Sequence, residues 1–152
     1  MIRDATKEDV GALVTMMTPF GLELEQLAHS VFDADSLADS LLGWIENANI
    51  ALIVADGEDA QITGAIAGII TAAYFNANHI IAQELGWWVD DAFRGSGVGG
   101  ELLSAFELWA KSNGASTVIM TAIVSPMVDV VGKMYEKRGY SRLEVNYSKG
   151  VT

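Results

Sequence analysis

Trp88-Val89-Asp90-Asp91-Ala92-Phe93-Arg94-Gly95-Ser96-Gly97-Val98-Gly99-Gly100 is the stretch from which the fold is read. Gly95, Gly97, Gly99 and Gly100 fall between an apolar run and a helical pattern. Glycine lets the backbone take positive φ and approach a ligand closely. Successive N–H groups then converge, and the helix N-terminus adds partial positive charge. Arg94 adds a full charge, so the segment can cradle a pyrophosphate. A tight strand-to-helix turn with nothing bound is the competing reading of these residues alone. Two nucleotide motifs fail on spacing. Gly99-Gly100-Glu101 stands where a Walker loop needs Gly-Lys-Ser/Thr, and the glycines lack the Gly-x-Gly-x-x-Gly register of a Rossmann turn.

Downstream, Val98, Leu102, Leu103, Phe106, Trp109 and Ala110 form a helical stripe that Gly114 ends. An apolar strand is expected over 117–124. Ser125-Pro126 opens a second helix with Met127, Val130, Val131, Met134 and Tyr135 on its stripe, and Gly139 closes it. A last strand is expected over 140–147. Upstream, 80–89 reads as a long strand in which Gly86 suggests a bulge. Residues 62–75 read as a strand buried on both faces, joined to it by a turn at Asn76-Ala77-Asn78. Residues 50–55 form a strand before an Asp56-Gly57 hairpin turn. Ile2 to Ala5 form a short strand, and Thr6 with Asp9 makes a capping box. The helix that follows runs to about Met17, where Pro19 and Gly21 break it. Residues 22–47 are helical in pattern, interrupted near Asp33 and Asp35, with Ser36 capping a helix through Trp44 and Ile45. The order β-α-α-β-β-β-α-β-α-β predicts an α/β (α+β) fold, a mixed sheet with helices on its faces, in one domain over 1–152.

Composition narrows the function classes. Lys plus Arg is 9 and Asp plus Glu is 20, for a net charge of −11. That excess speaks against a phosphate-tracking nucleic-acid binder and against an anionic membrane surface. There is no cysteine, which removes disulfides, thiolate metal sites and a Cys nucleophile. Residues 60–83 carry no charge, but Gln61, Thr63, Asn76, Asn78, His79 and Gln83 interrupt them. As a helix their apolar heart would span about 18 Å, short of a bilayer. Charges follow Met1 at once, so no signal peptide is read and a cytoplasmic location is expected. His29 and His79 have no partner pattern, so no metal site is expected.

Arg94-Gly95-Ser96-Gly97-Val98-Gly99 resembles the Arg/Gln-x-x-Gly-x-Gly/Ala loop of the GNAT superfamily of N-acetyltransferases. Met134-Tyr135-Glu136-Lys137-Arg138-Gly139-Tyr140 is similar to that family's Leu-Tyr-Glu-Lys-x-Gly-Phe segment, and the opening 2–9 to its first strand and helix cap. The resemblance implies a mostly antiparallel sheet with a splayed strand pair, and acetyl-CoA as co-substrate. It puts backbone N–H groups of Arg94, Gly95, Ser96, Gly97, Val98 and Gly99 on the CoA pyrophosphate. It splays the strand ending at Trp88 and Val89 from the strand 117–124, admitting the pantetheine arm. An N–H near Trp88 or Val89 would then polarise the thioester carbonyl.

Acyl transfer to an amine sets two proton problems. The ammonium must lose a proton before it attacks, and the CoA thiolate leaves more easily once protonated. Tyr135 matches the family position that donates to the thiolate; taken alone, a Tyr on an apolar stripe reads as core. Tyr140 competes, but sits where the family places a packing aromatic. Glu84 is the candidate general base. In strict alternation it shares a face with Gly86 and Trp88, a parity that a bulge would break. A solvated or ion-paired Glu is its competing reading. Direct attack by the amine is expected, since no Cys can carry the acyl group.

The sequence departs from the family in places. Val128 stands where many members have an Asn contacting the cofactor, and Asp129 beside it is no equivalent. Only 141–152 remain after the Tyr helix, enough for one strand where two are common. The bare edge makes a homodimer one expectation. Glu23, Glu25, Asp33 and Asp35 mildly favour a cationic amine, a small molecule or a basic protein segment; a solvated acidic surface reads equally well. Trp44, Trp87 and Trp88 wall an acceptor pocket or are core. A non-catalytic acyl-CoA-binding module and an interaction domain are the competing functions.

Overall fold

The computed structural model describes residues 1–151; Thr152, the end of the expected 1–152 domain, lies outside them. Five strands form one sheet in chain order: β1 (Ile2–Asp4), β2 (Ile50–Asp56), β3 (Ile62–Ala73), β4 (Asn76–Val89) and β5 (Thr117–Ile119). Neighbours are antiparallel except β4 and β5, which are parallel. Helices α1 (Val10–Ala28) and α2 (Ala34–Glu46) cover one face, and α3 (Val98–Ser112) and α4 (Val128–Lys137) the other. This is the mixed, mostly antiparallel sheet flanked by helices that the sequence predicts.

β3 is mostly apolar because both its faces are covered through Gly68; beyond that Thr71 and Ala72 are exposed, so the burial expected over 62–75 holds only for the first part of the strand. Ala65 and Ala67 pack towards α1 and α2, and Ile66 towards α3. Small residues on β3 let α3 lie close. A Cβ on Gly68 would fall 2.3 Å from the Phe106 ring, so the fully buried Phe106 fills the space that glycine leaves. Emptying that space by Phe106→Ala would cost about 3–5 kcal/mol.

The N-terminal cap forms as expected: Thr6 N–H donates to Asp9 Oδ2 at 2.7 Å. Arg3 ties this turn to the sheet, its guanidinium pairing with both Asp9 and Asp56 at 2.7 Å.

Several elements differ from expectation. α1 does not stop at Pro19 but runs on to Ala28. Proline in a helix costs a hydrogen bond, yet the apolar face continues across it, and Phe20 packs on Trp88 with centroids 5.2 Å apart. Gly21 is no breaker: a Cβ there would sit 2.2 Å from the Phe32 ring, which folds back on it. α2 is capped by Asp33, whose Oδ1 accepts Ser36 N–H at 2.6 Å, not by Ser36. The β2–β3 connection is no tight Asp56-Gly57 turn but spans 57–61 through a short 3-10 turn. The β3–β4 turn is Tyr74-Phe75, since Ala73 already pairs with Asn76, and both aromatics are exposed. β5 ends at Ile119 rather than 124, and α4 begins at Val128 rather than at Pro126. No strand forms over 140–147: Leu143, Val145 and Tyr147 keep the strand alternation but are exposed, and a strand without a neighbour is not stable alone. Among the described residues no helix is long and apolar enough to cross a membrane.

Candidate active site

The split in the sheet is built by two irregularities on β4. Its pairing with β5 ends at Gln83↔Ile119, while β4 continues to Val89. On its other side Gly68 pairs with Glu84 and Ala67 with Gly86, so Leu85 is the extra residue of a bulge. The bulge reverses the parity beyond it. Trp87 and Val89 join Ala82 on the α3–α4 face, and Trp88 turns to the α1 side. The bulge expected near Gly86 is thus present, and it separates Glu84 from Trp88, which strict alternation would have grouped.

Where the β4–β5 ladder stops, side chains take over. Glu84 Oε2 accepts Thr121 N–H at 3.0 Å, and Tyr135 Oη donates to Thr121 O at 2.9 Å. Burial raises the pKa of Glu84 above the usual carboxylate range, against the lowering pull of its hydrogen bonds to Thr121. Burial, then the Glu84 charge, raises Tyr135 well above an ordinary phenol. Tyr135 is 8% exposed, and its ring lies 6.0 Å from Trp87 and 5.4 Å from Tyr140. Tyr140 is engaged elsewhere: its Oη donates to Glu107 Oε1 at 2.8 Å, fastening the α4 exit to α3.

Beyond Val89, Asp90 Oδ1 caps a 3-10 turn by accepting Ala92 N–H at 2.9 Å. Asp90 N–H donates to Thr63 O at 3.0 Å, which makes these two a hydrogen-bonded pair. By antiparallel alternation the Trp88 N–H then faces β3, and the Val89 N–H faces away from it. Arg94 folds back over the strand end. Its Nε donates to Val89 O at 3.2 Å, Nη1 pairs with Asp91 at 2.8 Å, and the guanidinium lies 4.4 Å above the Trp88 ring. Ser96 Oγ donates to Phe93 O at 2.6 Å, turning the loop. Gly95 and Gly97 take φ of 81° and 99°, and nothing lies within 4 Å of where their Cβ atoms would be. The first intrahelical bond of α3 is Glu101 N–H to Gly97 O, so the N–H groups of Val98, Gly99 and Gly100 precede it with no backbone partner in the helix. An open, donor-lined loop at a helix N-terminus fits an anion.

Other sequence candidates scatter. Glu25 Oε1 accepts Phe32 N–H at 2.8 Å, and Asp33 caps α2, so two of the four acidic residues serve the α1–α2 connection. Glu23 and Asp35 are exposed. Trp44 packs into the α1–α2 core, away from the split. His79 faces Ser116 Oγ at 3.2 Å and Thr117 Oγ1 at 3.0 Å. Among the described residues no group of His, Cys, Asp or Glu is placed to hold a metal. The tail leaves Tyr140 on α3 and reaches α1, where Ser148 Oγ donates to Leu27 O at 2.5 Å. A cavity of about 520 Å³ lies apart from Glu84 and Tyr135, between α1 and the start of β3, lined by Glu8, Asp9 and Asp90 among others.

Sequence reasoning missed Thr121, which acts through its peptide and leaves no side-chain signature. Trp87, expected as an acceptor-pocket wall or as core, reaches the site because the bulge turns it there, and its Nε1 is buried without a partner.

The profile of the Acetyltransferase (GNAT) family matches residues 19–140. The chain has no significant sequence match among curated proteins. Among solved structures, glucosamine-6-phosphate N-acetyltransferase from Arabidopsis thaliana superposes with a TM-score of 0.77 at 17% identity, over 100% of this chain and 98% of that one. An aminoglycoside acetyltransferase from an uncultured soil metagenomic sample gives 0.73 at 17%, over 100% and 96%. A transcriptional regulator from Bacillus halodurans C-125 gives 0.79 at 21%, over 99% of each chain. At such identities these likenesses concern the fold. With the profile spanning the split, the glycine loop and Tyr135, the chain belongs to the GNAT acetyltransferase family.

Proposed function

We propose that this chain is an acetyl-CoA-dependent N-acetyltransferase acting on a primary amine. The observation that carries the proposal is the convergence of Glu84 and Tyr135 on Thr121, at the point where β4 parts from β5. The glycine loop supports a pyrophosphate-bearing ligand: Gly95 and Gly97 leave open space where side chains would stand, and the first α3 N–H groups have no partner in the helix. Of the backbone N–H groups from Arg94 to Gly99, those of Gly95, Gly97 and Gly99 would hold the phosphates, since Arg94 N–H donates to Asp91 O, Ser96 N–H to Phe93 O and Val98 N–H to Ser96 Oγ. Acetyl-CoA, when bound, supplies an acyl thioester.

The chain's residues then divide the proton work. Glu84 carboxylate accepts a proton from the substrate ammonium, freeing the nitrogen lone pair. The Val89 N–H is the strand donor turned towards the opening, suited to the carbonyl oxygen as negative charge develops there. As the C–N bond forms and the C–S bond breaks, Tyr135 Oη gives its proton to the departing sulfur, and the second proton that the nitrogen sheds in becoming an amide restores the phenol. Burial makes Glu84 a stronger base than a surface carboxylate and keeps Tyr135 protonated, though as a weaker acid than a free phenol, so its proton passes to sulfur only as the nitrogen's own proton replaces it.

Thermal unfolding tests the proposal first. Acetyl-CoA should raise the midpoint, and ATP or NAD at equal concentration should not. Thiol release should then follow with amines. Binding without turnover on any amine would favour the acyl-CoA-binding module. The acceptor is proposed to be cationic, on the exposed Glu23 and Asp35 alone. A homodimer is proposed on two unpaired features, the outer edge of β5 and the strand-patterned row Leu143, Val145 and Tyr147. A monomer by light scattering would count against it.

A further inference from the structure

A buried N–H without a partner costs about 1–3 kcal/mol and calls for an explanation. Among the described residues Trp87 Nε1 is the one buried side-chain nitrogen or oxygen in that state. Packing does not explain it. A Phe or Leu would present apolar surface at that position and leave no donor stranded.

Its placement suggests a reason. Trp87 follows the bulge and so projects onto the α3–α4 face of the split. On one side its Cζ2 and Cε2 lie 3.2 and 3.8 Å from where a Cβ on Gly99 would be, at the N-terminus of α3. Cε2 is the ring carbon that carries Nε1. On the other side the Trp87 and Tyr135 ring centroids are 6.0 Å apart. The indole therefore stands between the phosphate-holding loop and the phenol at the sulfur end. A ligand joining those two points passes the Trp87 ring with its pantetheine arm, whose amide carbonyls are acceptors.

We propose that the Trp87 indole N–H is a binding donor for an amide carbonyl of the acyl-CoA pantetheine arm. The proposal rests on the acetyl-CoA reading above. The free protein carries the unpaired donor as a standing cost, which is relieved when the arm enters. Phosphate is not its target, because the loop and the start of α3 already offer free backbone donors there.

The wild-type protein labelled with ¹⁵N at tryptophan provides the test. Its indole resonances, from Trp44, Trp87, Trp88 and Trp109, are assigned through the backbone. Acetyl-CoA should move the Trp87 indole proton downfield and slow its exchange with water. 3′,5′-ADP, which lacks the arm, should do neither. Trp87→Phe should leave the free protein's midpoint equal or higher, weaken acetyl-CoA binding about tenfold, and leave 3′,5′-ADP binding unchanged. A Trp87 resonance unmoved at saturating acetyl-CoA overturns the proposal, as does an equal response to 3′,5′-ADP or undiminished binding by the variant. If acetyl-CoA changes neither the midpoint nor any resonance of the wild type, the acetyl-CoA reading itself falls, and this proposal with it.

Discussion

Glu84 and Tyr135 are tied to the same peptide from opposite ends: the carboxylate accepts the Thr121 N–H at 3.0 Å, and the phenol donates to the Thr121 carbonyl at 2.9 Å. Neither bond belongs to a helix or to the sheet ladder. Both exist because β5 leaves β4 after Ile119 and its next backbone groups need partners. The break that opens the sheet therefore also spaces the proposed base from the proposed acid. Burial first and then the Glu84 charge hold Tyr135 in its protonated form, so the carboxylate and the phenol stand in opposite protonation states across one peptide.

Tyr135→Phe removes the acid and one hydrogen bond but keeps the ring between Trp87 and Tyr140. We expect kcat to fall by about 10²–10⁴-fold, and stability by about 1 kcal/mol for the stranded carbonyl. The acetyl-CoA-induced rise in midpoint should persist. Undiminished turnover in a thiol-release assay would remove Tyr135 from the chemistry.

The Arg3 clamp predicts the acid side of stability. Arg3 holds the Asp9 carboxyl down from 3.8 to about 2. A depressed carboxylate stabilises above its ordinary pKa, and that contribution is lost as pH falls through its folded value. Asp9→Asn should thus cost about 2 kcal/mol at pH 7. The gap between variant and wild type should close between pH 4 and pH 2. A gap independent of pH in denaturant melts would mean that the charge is not what matters.

How far the sequence reached can be traced residue by residue. The glycine loop, the α3 stripe and the Thr6–Asp9 cap were legible because each is a local pattern with a local cause. Pro19 misled because its cost is local, whereas the Phe20–Trp88 packing that carries α1 past it is not. The bulge that breaks the parity at Glu84 was legible in Gly86, but its extra residue, Leu85, is defined only by pairing with β3. The 140–147 strand kept its alternation but has no neighbour, and pattern alone does not supply one. Thr121 was invisible because any residue type carries the same peptide.

Gly97→Ala separates loop strain from loop function. Gly97 takes φ of 99° with nothing within 4 Å of a would-be Cβ, so an alanine would cost only backbone strain, about 1–2 kcal/mol. The midpoint should fall roughly 2–8 °C. Gly114, with φ of 82° at the far end of α3, should show a similar loss when changed to Ala. Only Gly97→Ala should also shrink the acetyl-CoA-induced rise. Equal rises in the two variants would detach the loop from the cofactor.

Glu84→Gln should make the protein more stable and less active. The Gln oxygen can still accept the Thr121 N–H, so the variant isolates the charge. Burial raises the folded pKa of Glu84 above the ordinary 4.5, so over the interval between the two values the folded chain holds a proton that the unfolded chain has released. Stability from this group is therefore fully present below 4.5 and lost as pH rises through the folded pKa. Wild type and variant should melt alike at pH 4, and the variant should melt higher at pH 7.5. Activity should run the other way. In the wild type kcat/KM should rise with pH as Glu84 loses its proton, and the variant should lose that rise along with about 10²-fold of its rate. A variant that gains stability yet keeps both the rate and the pH profile would make Glu84 a structural partner of Thr121, and the amine would have to lose its proton to water.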